Sequence, residues 1–360
     1  MKGLVLLLPG FGDALAASPI FSVIRDSPEI QADALTMLES VAEYARSTGV
    51  FEHVYNRQLL DNLRSSIPKI FELRRERYDF AIVPFPATRW QYAAVATAVG
   101  ARVIYAHDYG GSSRNIFLAA NAKLVSLRGG HRIAENKRLA QELVPGSDPP
   151  LKYLIPPDWA TGSRRTGLVG VHTGTMQFKG NERRRWPLNN FAEFVDRQLG
   201  ASRHVRVFIG PNERSDREFL ERRFQNQHIE FIEVPLNKVG PLLAECEIFV
   251  GNDSGLTHLA AGVGAKVITL FGMTDPVRAT PVGNAYALRP SDCPPCHDEG
   301  MRTFSCVRSI GYKCMIEDMT VDRVCETVDA FFSSAIIGAT TAIKGDFQLY
   351  GKRCFNQRET

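Results

Sequence analysis

The sequence predicts an α/β protein built of two Rossmann-like domains that face each other across a cleft. Short apolar, β-type runs alternate with amphipathic stretches along most of the 360 residues, the pattern of parallel strands joined by crossover helices. Midway, a segment rich in Pro, Gly, Ser and Asp breaks the alternation, which then starts afresh. Composition agrees with a globular chain, at 44% hydrophobic and 23% charged residues. A net charge of +4 from 43 basic and 39 acidic residues is too mild to call for nucleic acid. No apolar run approaches the roughly 20 residues of a membrane span, so a soluble chain is expected.

In the first half the predicted strands are Gly3–Leu8, Asp33–Leu38, Asp79–Pro84 and Ala101–Tyr105. The predicted helices are Ala14–Ile24, Val41–Ser47, Leu60–Arg75, Trp90–Val99 and His131–Leu143. The N-terminus carries the outline of a secretory leader: Lys2, then Leu4–Leu8, then small residues over Ala14–Ser18. Its apolar core is too short, because such leaders want roughly 7–15 apolar residues. Pro9-Gly10-Phe11-Gly12-Asp13 also interrupts it. The reading is strand, glycine loop, helix, in a cytoplasmic protein with reduced cysteines. Pro145–Arg165 is the linker. Beyond it the strands are Gly167–His172, Val205–Ile209, Ile229–Glu233, Glu247–Val250 and Lys266–Phe271. Helices there are Asn189–Gly200, Glu213–Gln225, Val239–Glu245 and Leu256–Gly262. The expected domains are 1–155 and 166–328, the latter with a four-cysteine segment at 293–314, followed by a tail over 329–360.

Candidate chemistry gathers at the carboxyl ends of strands, where open parallel sheets bind ligands. Gly10-Phe11-Gly12-Asp13 follows the first strand and opens a helix, but Leu15 replaces the third glycine of a dinucleotide fingerprint. Asp13 is then either a favourable charge at a helix start or a catalytic carboxylate at the cleft edge. Gly251–His258 follows another strand; Ser254 suits an N-cap, Gly255 allows an anion to approach, and a diphosphate fits there with His258 one turn inside. The alternative is a capped turn with a packed histidine. His172-Thr173-Gly174-Thr175 precedes Arg183-Arg184-Arg185-Trp186-Pro187, and guanidinium groups bind phosphate oxygens bidentately, though a solvated basic loop reads the same way. Glu213, after Gly210-Pro211-Asn212, either accepts ribose hydroxyl protons or begins a helix.

Four of the seven cysteines, Cys293, Cys296, Cys306 and Cys314, fall within 22 residues. Their spacing can wrap one tetrahedral ion, Zn or Fe, in a closed structural site; free thiols and disulfides are the alternatives. A basic excess over Gly111–Arg138, including Arg114, Lys123, Arg128 and Arg132, is either a solvated face or a place for an anionic acceptor.

Taken together these residues resemble glycosyltransferase family 9, the ADP-heptose:lipopolysaccharide heptosyltransferases, over roughly Gly3 to Val328. The resemblance is strongest at Arg184–Pro187, Gly210–Glu213, Asp253–Ala261 and Phe271–Pro276. In the first half it rests on Gly12-Asp13 with Pro19, on Tyr78-Asp79-Phe80, and on the helix from His131. It implies a GT-B fold and an inverting transfer from an ADP-sugar to a hydroxyl of an anionic glycan or glycolipid acceptor such as lipopolysaccharide core. It makes Asp13 the general base, and places Arg184 on the diphosphate and Glu213 on the ribose side. Asp253, Ser254, Gly255 and His258 then hold sugar and phosphates, beside a loop containing Gly174 and Thr175. It places the acceptor mainly on the first domain, where Arg114, Lys123, Arg128 and Arg132 are candidates for acceptor contacts. No catalytic metal is implied.

Departures are visible. Arg184 stands where the family usually has Lys, His172-Thr173-Gly174-Thr175 replaces a common His-Pro-Gly, and residues 176–182 are an insertion. Pro9-Gly10-Phe11 lies where relatives often carry a basic residue. The cysteine segment resembles that of protein-modifying autotransporter heptosyltransferases, which carry cysteine-bound iron. Alternatives left open are a protein O-heptosyltransferase, a nucleotide-sugar epimerase on the same scaffold, and a non-catalytic sugar- or metal-binding protein. Peripheral contact with the inner face of a membrane is compatible with the basic first half, and nothing in the sequence specifies an oligomeric state.

Overall fold

The computed structural model describes residues 1–57, 59, 63–87, 89–109, 121–175, 184–225, 227–290, 293–296, 306 and 312–333. The first half runs β1 (Lys2–Leu7), α1 (Phe11–Ala16), α2 (Ser18–Arg25), β2 (Gln31–Thr36), α3 (Glu39–Ser47), β3 (Val54–Asn56) and α4 (Leu63–Arg75). It continues through β4 (Phe80–Ile82), α5 (Trp90–Val99), β5 (Val103–Asp108), β6 (Ala122–Ser126) and α6 (Arg132–Leu143). The second half runs β7 (Arg165–His172), α7 (Leu188–Gly200), β8 (His204–Phe208), α8 (Arg214–Arg223), β9 (Ile229–Ile232), α9 (Leu236–Ala244) and β10 (Cys246–Asn252). There follow α10 (Gly255–Gly262), β11 (Lys266–Leu270), α11 (Pro276–Ala279), β12 (Ala285–Leu288), α12 (Lys313–Ile316) and α13 (Val321–Phe332).

Each half is a parallel six-stranded sheet, ordered β3-β2-β1-β4-β5-β6 and β12-β11-β10-β7-β8-β9. The two orders are the same topology, so the strand order reverses between β1 and β4 in one sheet and between β7 and β10 in the other. These switch points are where such sheets open a crevice. The strands flanking them are apolar on both faces, as helices on both sides require. Val5 sits between Ala34 and Ile82, and Val171 between Val250 and Val207.

Two expectations need correction. The single helix expected over Ala14–Ile24 is two, broken at Ala17. Pro19 cannot donate an amide proton and its ring would crowd the carbonyl four residues back, so the chain restarts with Pro19 in the first turn of α2. The linker Pro145–Arg165 is a packed wedge. Trp159, in a short 3-10 helix over Pro157–Ala160, is fully buried, and a Cβ on Gly240 would lie 2.6 Å from its carbonyl oxygen. Tyr44 of the first half packs on Trp159 and donates to the Leu154 carbonyl (2.8 Å). One apolar cluster therefore runs from Leu15 and Phe21 through Tyr153 and Trp159 to Leu259 and Ala260. At the other end, α13 continues the fold to Phe332, across the expected start of the tail, and packs on α7.

His131 ties the halves directly. It caps α6 by accepting from the Ile133 amide at Nδ1 (3.2 Å), so its proton resides on Nε2, which donates to the Thr280 carbonyl (2.7 Å). Burial pushes its pKa down to about 4, and burial does the same to His107. The unfolded imidazoles protonate near the ordinary value, so stability is complete above about pH 6.5 and is lost as pH falls toward 4. Unfolding free energy from urea titrations should fall between pH 7 and 5 by up to about 2 kcal/mol per histidine. His131→Gln, which keeps a donor for Thr280, should remove about half of that slope; an unchanged slope would show that His131 accepts a proton in the folded state.

Candidate active site

The crevice is built where the two switch points meet. The N-termini of α1 and α10 abut, which glycine alone permits: a Cβ on Gly255 would lie 2.8 Å from Phe11 Cδ1 and 3.0 Å from the Gly12 nitrogen. A Cβ on Gly12 would lie 3.1 Å from the His258 ring. Asp13, in the first turn of α1, therefore shares the crevice with the Asp253–His258 turn of the other half. Its Oδ2 accepts from the Gly10 amide (3.2 Å) and its Oδ1 from Arg132 Nη1 (3.1 Å). The helix-start position of Asp13 is seen directly, and the same carboxylate faces the crevice. Asp13 and Arg132 each keep close to a fifth of their side-chain surface open, at 18% and 17%.

On the opposite wall, Asp253 is buried and ion-paired with Arg184. Burial opposes its charge, but Arg184, His258 and Arg132 outweigh that and hold the carboxyl well below the usual range. His258 turns Nε2 toward Asp253 Oδ1 (3.9 Å) and its other nitrogen, Nδ1, toward Tyr153 Oη (2.6 Å). Ser254 occupies the N-cap of α10, but its hydroxyl makes no cap hydrogen bond; it faces Thr257 Oγ1 (3.0 Å) and His172 Nδ1 (3.4 Å).

Glu213 is buried between two glycines. A Cβ on Gly174 would lie 2.2 Å from its Oε1, and one on Gly210 2.3 Å from its Oε2. Burial works to raise its pKa, yet His172 (Nε2 to Oε2, 3.9 Å) and Arg185 bring it below the ordinary value. Thr175 lies buried beyond Gly174 in the same loop.

A supporting layer was not singled out from the sequence. Asn252 accepts from the Trp186 amide (2.8 Å) and donates to the Thr173 carbonyl (2.8 Å), locking the arginine segment to the β7 loop. Asp216 accepts from Thr173 (2.6 Å) and from Arg185. Asn252 sits inside the conspicuous turn and Asp216 lies three residues after Glu213, in the first turn of α8, so neighbouring motifs were the available signal. Tyr153 had none beyond being an aromatic among prolines.

The described members of the basic set do not converge. Among them Arg132 is the one seen to reach Asp13. Lys123 lies near the start of β6, three strands or roughly 14 Å from β1, with its ammonium over the Tyr105 ring. Arg128 lies in the loop before α6, where its amide donates to Glu135 (3.0 Å). Arg114 lies outside the described residues. Among the cysteines, Cys314 is buried in hydrogen-bond contact with Cys293, with Cys296 close enough to act on it; burial and these neighbours push its thiol up to about 11. No three of the four bring their sulfurs within 4.8 Å of one another; among the described residues that criterion selects Asp33, Glu52 and His53. Asp33 there is already engaged by His53 and Tyr78.

The model of glycosyltransferase family 9 (heptosyltransferase) matches residues 70–302. The chain belongs to this family. It is a glycosyltransferase with the GT-B architecture of two facing Rossmann-like sheets. Lipopolysaccharide heptosyltransferase 3 of Escherichia coli is 22% identical over 290 residues, 76% of this chain and 84% of the relative. The structure of the E. coli ADP-heptose lps heptosyltransferase II superposes with a TM-score of 0.69 at 18% identity, covering 93% of this chain and 99% of that one. The iron-containing dodecameric glycosyltransferase TibC of enterotoxigenic E. coli shares the fold more loosely, with a TM-score of 0.55 at 14% identity and 93% and 77% coverage.

Within this transferase, Gly174→Ala should force the Glu213 carboxylate out of its pocket and destabilise the protein by about 1–3 kcal/mol, the usual cost of overpacking. Gly200→Ala, whose added methyl meets nothing within 4 Å, serves as the control. Equal urea midpoints for the two variants would show that Glu213 relaxes freely.

Proposed function

We propose that this family 9 member is an inverting transferase that moves heptose, or a closely related sugar, from an ADP-sugar to a hydroxyl of an anionic glycan acceptor such as lipopolysaccharide core. The observation that carries this reading is the glycine-permitted meeting of α1 and α10, which sets Asp13 opposite the Asp253–His258 turn. Asp13, polarised by Arg132, takes the acceptor hydroxyl proton as that oxygen attacks the anomeric carbon. The new C–O bond forms on the face opposite the departing diphosphate, and the bond from the anomeric carbon to the ADP oxygen breaks. The charge left on ADP falls to Arg184 and to the first-turn amides of α10, whose N-cap side chain does not occupy them. Glu213 and Gly174 take the ribose side, with Thr175 beside the phosphates. Arg132, next to Asp13, is the acceptor-side cation. Among the described residues no helix is long and apolar enough to cross a membrane; the reading places the enzyme in the cytoplasm, meeting a lipid-linked acceptor at the inner face.

Asp13→Ala should lower turnover by about 10²–10⁴-fold, the range of a general base, while ADP affinity by calorimetry stays within about threefold. ADP should bind more tightly than UDP, GDP or CMP, and Arg184→Ala should weaken it about tenfold or more, as loss of a charged hydrogen bond does. Undiminished turnover in Asp13→Ala would remove it as the base, and preference for another nucleotide would replace the donor.

We also propose that Cys293, Cys296, Cys306 and Cys314 bind a structural Zn or Fe ion, remote from the transfer step. Soft sulfur donors suit a thiophilic cation, whose charge would favour thiolates there, and Cys293 and Cys296 already act on the buried Cys314 thiol; a bound ion would have to draw the four sulfurs together. The E. coli relative described as iron-containing supports a metal in this scaffold. Elemental analysis should find about one ion per chain, lost in Cys314→Ser together with several degrees of melting temperature. Metal-free protein with an unchanged melt after chelation would exclude the site.

A further inference from the structure

Tyr153 belongs to the wedge between the sheets, yet its hydroxyl is part of the second half's site. Its Oη accepts the Val282 amide proton at 3.0 Å and lies 2.6 Å from His258 Nδ1. Both side chains are buried, and among the described residues these two are the partners found for the hydroxyl. With Val282 occupying a lone pair, the phenol's own proton is directed at Nδ1. Burial raises the phenol's pKa, so that proton is retained at neutral pH. An imidazole that accepts at Nδ1 carries its proton, when neutral, on Nε2. The opposite tautomer would aim the Nε2 lone pair at the Asp253 carboxylate, 3.9 Å away, and at any anion entering beside it.

We propose that Tyr153 is a positioning residue that fixes His258 in the Nε2–H tautomer, so that the imidazole presents a donor to a phosphate oxygen of the nucleotide-sugar diphosphate. This rests on the donor reading of the Asp253–His258 turn. Three separate stretches of chain build the device: the wedge supplies Tyr153, the loop before β12 supplies Val282, and α10 supplies His258. The tautomer is thus set by how the inter-sheet segment is seated against the second half, without direct contact between Tyr153 and ligand.

Histidine-labelled full-length protein, with the His258 signals assigned from His258→Gln, should show Nδ1 at an unprotonated and Nε2 at a protonated nitrogen shift. In Tyr153→Phe that pattern should become a mixture or invert, and turnover should fall roughly tenfold, the scale of one hydrogen bond to a charged group. His258→Gln, whose side-chain amide reaches the Nε2 position, should retain about tenfold more turnover than His258→Asn. Adding Tyr153→Phe to His258→Gln should then cost less than twofold, because the amide needs no tautomer fixed. An Nδ1–H tautomer in the unmodified protein, or Asn rescuing as well as Gln, overturns the proposal and leaves the donor reading standing if His258→Ala still loses ADP affinity. Unchanged ADP affinity in His258→Ala overturns the donor reading itself, and the positioning role with it.

Discussion

Everything at the crevice depends on a steric constraint: the N-termini of α1 and α10 touch. A Cβ on Gly255 has no room at the contact, and one on Gly12 would press on the His258 ring. If either helix were displaced by the width of a methyl group, Asp13 would withdraw from the Asp253–His258 turn, and the two sheets would present separate half-sites. The contact also exposes two helix N-termini to the same space, and their partial positive charges add. On the proposed reading, a diphosphate entering the crevice would meet both helix starts.

The fixed charges follow the same logic. Arg132 pairs with Asp13 and Arg184 with Asp253, so each wall holds one cation against one anion. Asp253 is the deeper of the two acids, and its ionisation depends on cations from both walls, Arg184 on its own side and Arg132 across the crevice. Removing one partner of such a pair leaves a charge uncompensated in a poorly hydrated place, which costs more than the pair contributes. On the proposed reading a diphosphate would compete with Asp253 for the Arg184 guanidinium, whose chain neighbours are held by Asn252 at the Trp186 amide and by Asp216 at the Arg185 guanidinium. That supporting layer ties the arginine segment to the β7 loop.

Much of this was legible in the sequence because it is local. The glycine-bearing turns at the ends of β1, β7, β8 and β10 combine a strand, a tight turn and a helix start within about ten residues, and each was readable as such. Both sheets followed from apolar runs buried on two faces. The strands that escaped notice, β3, β6 and β12, are three to five residues long and only partly buried, so little of their composition is set by the core. The helix α13 did carry a signal, with Val321, Val324, Cys325, Val328 and Phe331 on its buried face. What had no local trace were pairings across the chain: Arg132 with Asp13, 119 residues apart, and Tyr153 with His258, 105 apart. A basic residue in a basic stretch gives no hint of which distant carboxylate it meets, and Arg132 finds Asp13 while Arg138 pairs with the nearby Glu135.

The wedge between the sheets shows why composition misled there. Pro149-Pro150 and Pro156-Pro157 do mark a segment that cannot form the interior of a long helix or a sheet, and so it reads as a linker. Yet prolines also fix the backbone in advance, lowering the entropy lost when the segment is held. Tyr44 and Ser18 of the first half grip it through Leu154, while Val282 and His258 of the second half grip Tyr153, the adjacent residue. Successive residues of one extended segment point to opposite faces, so a single short stretch can bond to both halves at once. A flexible tether would leave the approach of α1 to α10 to the glycine contact alone. A rigid one, anchored one turn of α10 away from the crevice, sets that approach from behind, and through the Tyr153 hydroxyl against His258 the wedge takes part in the crevice's construction.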